Sequence, residues 1–373
     1  MGLHPGSLPD FPWDSLTPYI ERASAHPDGI VNLSVGTPVD PTPVVVREAL
    51  AAASDAPGYP TTHGTLALRE AIAAWFARRR SVPGIDPAAV LPTMGSKELV
   101  ALLPGLLGLG EGDVVVHPTA AYPTYDVGAR LAGATPLAAD AVADWANNPA
   151  VKLVWVNSPS NPTGAVASRE YLADVVTAAR AIGAVVASDE CYAELPWGEE
   201  YVRDGVASIL DPAVCAGSHD GLLAVYSLSK QSNLAGYRAA FTAGDPRVIA
   251  GLLETRKHAG MIVPAPVQAA MVAALGDDAH VEVQRAIYGA RREVLLKAVL
   301  AAGFRVESSD AGLYLWATRD ENCWQTLDFL ADHGIVAAPG EFYGEAAANY
   351  VRIALTATDE RINAAARRIV KAR

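Results

Sequence analysis

A lysine, two hydroxyls and an arginine follow one apolar run in the stretch VYSLSKQSNLAGYRAAF, Val225 to Phe241. The run GLLAV, closing on Tyr226, reads as a buried strand, and Ser227, Ser229, Lys230 and Arg238 come after it. A lysine amine is a nucleophile once its positive charge is suppressed, and small hydroxyls with an arginine suit a phosphate. Read alone, the stretch is explained first by a solvated loop lysine.

Other strand ends carry residues of the same kind. PTMGSKELVALL sets Gly95, Ser96 and Lys97 at the start of a helical pattern, where free N–H groups and a partial positive charge can hold an anion. Tyr122 sits in the Pro-rich HPTAAYPTYD, Asn161 in NSPSNPTG, and Asp189 and Tyr192 in ASDECY. Each has an ordinary reading by itself: a Ser N-cap, a packed aromatic, a turn amide, a capping carboxylate. Together they supply a phosphate-suited helix start, an aromatic face, an amide, a carboxylate, a phenol, a lysine and an arginine. These are the parts that hold pyridoxal 5'-phosphate, which stabilises carbanions while bound to a lysine, with an acidic partner at its pyridinium nitrogen.

The elements that must position these residues are short apolar runs alternating with helical patterns. DVVVHP, VKLVWVNSP, AVVASDE and LLAVYSLS lack clean alternation, which suits strands covered on both faces in a largely parallel α/β sheet. SREYLADVVTAARAIG reads as a helix ended by Gly183. Ligands of such sheets bind at the carboxyl ends of the strands, where these residues lie. From about Tyr288 the pattern becomes helix, strand, helix, strand, helix, the mark of a smaller α+β domain. The division expected is an N-terminal segment over 1–44, a large domain over 45–287 and a small one over 288–373.

Composition limits the alternatives. A chain of 373 residues with 51% hydrophobic and 19% charged residues is expected to be globular rather than disordered or membrane-spanning. A net charge of −12 argues against nucleic acid as a partner. The dense basic run Arg78 to Arg80 reads as a helix end, where cations suit the dipole. Cys191, Cys215 and Cys323 are too scattered for a disulfide framework, and none has metal-ligand spacing, so no metal is expected. The Pro-rich N-terminus lacks the pattern of a signal peptide, so the expectation is a reduced, cytoplasmic protein.

Over nearly its whole length the chain resembles the fold-type I (class I/II) pyridoxal-phosphate aminotransferases of the aspartate aminotransferase family. The resemblance rests on VGTP, YPTTHG, GSK, YPTY, NPTG, SDECY, SLSK…AGYR and VRIAL, in that order. It implies that Lys230 anchors the cofactor covalently, Asp189 partners the pyridinium nitrogen, and Asn161 and Tyr192 partner the ring hydroxyl. Tyr122 would stack on the ring. Ser96, Ser227 and Arg238 would form the phosphate cup, with backbone help from Gly95 and Lys97, and Ser229 is a further phosphate candidate. Tyr59 would reach the phosphate of a neighbouring subunit, which implies a homodimer with shared sites. Arg352 would grip the substrate α-carboxylate, and Gly36 would line the substrate, beside Tyr122 and Asn161. A lysine freed by the substrate can then carry a proton between Cα and the cofactor.

FPWDSL, HPDGIVNLSVGTPVDP, RKHAGMIVPAPVQAAMVAAL, SDAGLYLWATR and IALTATDER are similar to one branch, the actinobacterial-type N-succinyldiaminopimelate aminotransferases. That similarity implies exchange of an amino group between N-succinyl-L,L-diaminopimelate and 2-oxoglutarate in lysine biosynthesis. Another amino donor, of aspartate or aromatic type, and a C–S β-lyase on the same fold stay open; a regulator domain fits less well, because no basic helix-turn-helix precedes Gly36. Arg256, Lys257 and His258 are candidates for a distal carboxylate, or else a solvated helix end. Phe11 and Trp13 either cover the site or simply pack. Gln231, Ser232 and Asn233 depart from the broader family pattern.

Overall fold

The computed structural model describes residues 8–371, so the first seven residues of the expected N-terminal segment and the last two of the chain lie outside it. Among the described residues thirteen strands form three sheets: β1 (Val31–Asn32), β2 (Val90–Met94), β3 (Val114–His117), β4 (Thr135–Ala138), β5 (Val151–Asn157), β6 (Val185–Asp189), β7 (Leu222–Ser227), β8 (Ala239–Gly244), β9 (Arg305–Val306), β10 (Tyr314–Thr318), β11 (Ile335–Val336), β12 (Ala338–Pro339) and β13 (Val351–Ala354). The largest sheet has the order β2-β8-β7-β6-β5-β3-β4. All its strands run parallel except β8, which is antiparallel to both neighbours. This is the mainly parallel α/β sheet that the apolar runs predict.

The missing alternation has a direct cause. Along β7, Leu222, Ala224 and Tyr226 enter the core on one face, while Leu223 and Val225 enter the core on the other. Both faces are dry, so neither parity of the strand needs a polar residue. On one face Trp75, Phe76, Tyr226 and Phe241 pack ring against ring at 4.4–6.0 Å. On the other, Tyr125 stacks on Trp155 at 5.0 Å.

The helix expected over SREYLADVVTAARAIG spans Arg169–Ile182. Ser168 accepts a bond from the Tyr171 N–H at its start, and Gly183 ends it at φ +71°. The arginine run does close a helix, Leu66–Arg79, and its members also find carboxylate partners. Arg78 pairs with Asp278 at 2.8 Å, and Arg79 with Glu194 and Glu282. Arg80 is buried against Glu190 at 3.0 Å.

The C-terminal part builds an antiparallel sheet of order β12-β13-β10-β9, and β1 pairs in parallel with β11. The helix Ala279–Ala301 runs unbroken through residue 287 into this part. Among the described residues no helix is long and apolar enough to cross a membrane, and no group of His, Cys, Asp and Glu has metal-binding geometry.

Candidate active site

Sheet register assembles the site. Asn157 and Asp189 stand opposite each other at the carboxyl ends of β5 and β6, and Asp189 pairs with Val225 on β7. The reversed strand β8 then brings its own start to that same edge. Ala239 pairs with Met94 and Ala240 with Ser227, so Arg238 is set down between Gly95 and Ser227. The loop from β7 to β8 thus returns a cation to the strand end that it left.

Gly95 shows how close that approach is. It sits at φ +83°, and a Cβ there would lie 2.0 Å from Nη2 of Arg238. A Cβ there would displace the guanidinium, and glycine alone adopts the angle without strain. The guanidinium therefore lies against the N-terminus of the helix Ser96–Leu106. Ser227 caps the short helix Leu228–Gln231, accepting from the Ser229 N–H at 3.1 Å and donating to the Ser229 hydroxyl at 2.8 Å. Helix N–H groups, two hydroxyls and an arginine make a cradle of the charge and size for a phosphate. The donor set thus fits the phosphate end of pyridoxal phosphate. Lys97 contributes no side chain to it; its ammonium lies 5.9 Å over the ring of Phe11.

Asp189 is buried with its carboxylate accepting from the Tyr125 hydroxyl at 2.9 Å and the Cys191 N–H at 3.2 Å. Burial raises its pKa, opposed by hydrogen bonds from Cys191 and Tyr125 and by the charge of Lys230. A cationic ring nitrogen is the partner that such a carboxylate lacks. Glu190, next in sequence, faces away and is spent on Arg80, the Ser208 hydroxyl and the Ile209 N–H. Tyr122 meets Tyr125 edge-on at 5.8 Å, and its phenol is pushed up to about 12, mainly by burial. The Cys191 thiol is raised well above its ordinary value by burial and by the neighbouring carboxylate, so it is no nucleophile.

Lys230 donates from its ammonium to the carbonyl of Gly36. Gly36 in turn lies against Tyr314, whose hydroxyl would be 2.1 Å from a Cβ at that position. Arg352 donates to the Asn161 amide oxygen at 2.8 Å and to the Ser34 carbonyl at 2.7 Å. The Asn161 backbone is held by the Asn157 side chain at 2.7 Å. The Tyr192 and Tyr314 hydroxyls are 3.1 Å apart.

Lys230, Asp189, Tyr192, Asn161, Arg352, Gly36, Gly95, Ser96, Ser227, Ser229, Tyr122 and Arg238 are thus linked through direct contacts or shared neighbours. Tyr59 is not among them: its side chain is 100% exposed. Arg256 is a correction. It is fully buried, and it holds Glu98 in the first turn of the Ser96–Leu106 helix at 2.6 and 3.2 Å, so it is not free for a distal carboxylate. Lys257 pairs with Glu254 on the surface.

Gln231, Ser232 and Asn233 now have an explanation. Gln231 accepts from the Tyr226 hydroxyl at 2.6 Å, and Ser232 bonds to His280 at 2.8 Å. Asn233 donates to Gln284 at 2.7 Å, and Gln284 to Asp40, which Arg291 grips with two bonds. The run ties the lysine segment to the helix Ala279–Ala301 and to the segment that follows Gly36. Sequence reasoning missed Tyr125, although its motif YPTY was in view, and Tyr314. Trp13 packs on Phe342 at 5.2 Å, while Phe11 remains more than half exposed.

The model of the family "Aminotransferase class I and II" matches residues 28–369. The chain is 62% identical, over 97% of its length and 99% of the relative's, to the 4-dedimethylamino-4-oxo-anhydrotetracycline transaminase OxyQ of Streptomyces rimosus. It is 59% identical to "Probable aminotransferase Rv1178" of Mycobacterium tuberculosis, over 97% of this chain and 85% of that one. Among solved structures, the "probable N-succinyldiaminopimelate aminotransferase" of Thermus thermophilus superposes with a TM-score of 0.85 at 28% identity, over 97% of this chain and all of that one. The chain belongs to the class I and II aminotransferases, fold-type I enzymes whose cofactor is pyridoxal 5'-phosphate.

Proposed function

We propose that this aminotransferase exchanges an amino group between N-succinyl-L,L-diaminopimelate and 2-oxoglutarate. One observation carries the carboxylate-binding part of this reading. Arg352 is buried, yet among the described residues its guanidinium bonds only to an amide oxygen and a backbone carbonyl, and its Nε has no acceptor. A buried cation without an anion is costly, and a substrate carboxylate removes that cost. The preference for the succinylated donor rests on the resemblance of the sequence stretches named above and on the Thermus relative's name.

The roles follow from the chemistry of each group. Bound pyridoxal phosphate supplies the electron sink that makes a Cα–H bond acidic. Lys230 holds the cofactor and then carries the proton at Cα, and Asp189 keeps the ring nitrogen protonated. Asn161 and Tyr192 would hold the ring hydroxyl and Tyr122 would pack against the ring. Ser96, Ser227, Ser229 and Arg238 hold the phosphate, with the backbone of Gly95 and Lys97. Arg352 would hold the α-carboxylate, fixing rotation of the substrate so that a proton rather than carbon dioxide is lost from Cα. Orientation of this kind lowers a barrier by roughly 7–11 kcal/mol at best. A second copy of the chain supplies Tyr59, so the active unit is a cytoplasmic homodimer, with segment 1–44 joining the small domain 288–373 against the large domain 45–287.

A second reading has its own support. The 62% identity to OxyQ favours a bulky cyclic ketone as amino acceptor. A half-reaction screen separates the two: holoenzyme is mixed with N-succinyl-L,L-diaminopimelate, glutamate or aspartate, and conversion of the cofactor to its amine form is read by absorbance. Conversion by the succinylated donor supports the first reading. Conversion by glutamate alone, followed by amination of a polycyclic ketone, supports the second.

A further inference from the structure

Tyr314 lies at the centre of the site with no role yet. It is 3% exposed on β10, where it pairs with Ala354 of β13, and Trp316 pairs with Arg352. Tyr314 and Arg352 are therefore diagonal neighbours on one face of the antiparallel pair. Their contact is close: the guanidinium carbon sits 3.9 Å from the ring centroid, a cation–π distance. The other end of the same side chain meets Tyr192, hydroxyl to hydroxyl, at 3.1 Å.

One phenol thus touches both ends of the site, and proton counting gives it a direction. A tyrosine hydroxyl has one proton to donate. If Tyr192 gives its proton to the ring hydroxyl oxygen of the cofactor, it can only accept from Tyr314. The donation makes Tyr192 a stronger donor, since hydrogen bonds in a chain polarise one another. We propose that Tyr314 is a positioning residue that couples the two ends of the site, its hydroxyl donating to Tyr192 and its ring seating Arg352. This rests on the roles assigned above to Tyr192 and Arg352.

The charged and titratable groups facing Tyr314 are Arg352 on β13, Lys230 after β7, Tyr192 after β6, and the phenols of Tyr122, Tyr288 and Tyr343. Burial raises the pKa of Tyr314, the charges of Arg352 and Lys230 act against it, and the net direction is down. A phenol held among cations is a better donor, in keeping with its direction toward Tyr192.

The test uses holoenzyme variants Tyr314→Phe, Tyr314→Leu and Tyr192→Phe, read by pH titration of the visible absorbance of the bound cofactor and by KM for glutamate and 2-oxoglutarate. Tyr314→Phe keeps the ring and loses the hydroxyl. Its titration midpoint moves up by about half a pH unit or more, because the weakened Tyr192 favours the protonated cofactor, while both KM values stay within about twofold. Tyr314→Leu moves the midpoint and also raises both KM values about tenfold. An unmoved midpoint in Tyr314→Phe beside a moved one in Tyr192→Phe overturns the coupling alone. Midpoints unmoved in both overturn the role of Tyr192 and the coupling with it. Unchanged KM values in Tyr314→Leu overturn the seating of Arg352. Should the leucine variant fail to fold, the phenylalanine titration decides the coupling. Neither glutamate nor the absorbance depends on the succinylated donor, so failure of that donor in the half-reaction screen is a separate result.

Discussion

Arg352 on β13 reaches the amide oxygen of Asn161, 191 positions away, at 2.8 Å. The bond joins the C-terminal antiparallel sheet to the carboxyl edge of the parallel one. It also places the cation beside an amide that can still donate from its nitrogen. Arg352→Ala should weaken every amino acid and 2-oxo acid alike, since all present the α-carboxylate. Loss of a charge-assisted pair of bonds is worth about 1.5–3 kcal/mol, roughly ten- to hundredfold in kcat/KM. Steady-state kinetics on both half-reactions checks this; a loss confined to one substrate contradicts the role.

Asp189 gives a pH prediction whose sign follows from its burial. Its pKa in the folded chain is raised, so the folded state binds more protons than the unfolded state just above the ordinary carboxylate range. Stability of the cofactor-free protein then falls as pH rises through that window, and at neutral pH the charged group is a burden. Asp189→Asn removes the titration. Its cofactor-free form should melt about 2 °C higher than wild type near pH 7.5 and show less of the acid-side gain. Cofactor affinity moves the other way, because the ring nitrogen loses its anion. Calorimetry of the two proteins across pH, without cofactor, reads the first effect. A marked drop in the variant's melting temperature contradicts it.

Glu98 and Arg256 are a structural pair under the phosphate cradle. Glu98→Gln leaves a fully buried guanidinium without its anion, at a cost of about 3 kcal/mol. The double variant Glu98→Gln with Arg256→Met should recover most of this, as apolar replacement of a buried pair often does. Denaturant unfolding of the cofactor-free proteins measures both. Loss of discrimination between acidic and neutral amino donors in the double variant, without recovery of stability, would instead return Arg256 to the substrate.

The strand ends were legible in the sequence because chemistry-bearing residues stand there against runs of Val and Leu. What pairs with what was not. Nothing in AAFTAG says that β8 runs backwards, yet that reversal is what sets Arg238 beside Gly95. Arg256 looked like a surface cation because the residues after it, Lys257 and His258, are one; its carboxylate lies 158 positions upstream. Gln231 to Asn233 stood out in the sequence only as a departure from the broader family pattern. Their partners Tyr226, His280 and Gln284 come from two elements, β7 and the helix Ala279–Ala301, which no local pattern reveals. Tyr314 reads as an ordinary strand aromatic until its diagonal to Arg352 is drawn.

The central claim is that Lys230 is the residue that holds the cofactor. Borohydride reduction of the holoenzyme, proteolysis and peptide mass mapping test it directly. The account predicts one peptide carrying the reduced cofactor, with the added mass on Lys230, and none in Lys230→Ala. Added mass on Lys97 or on any other lysine, or an unmodified Lys230 in a catalytically active preparation, would contradict it.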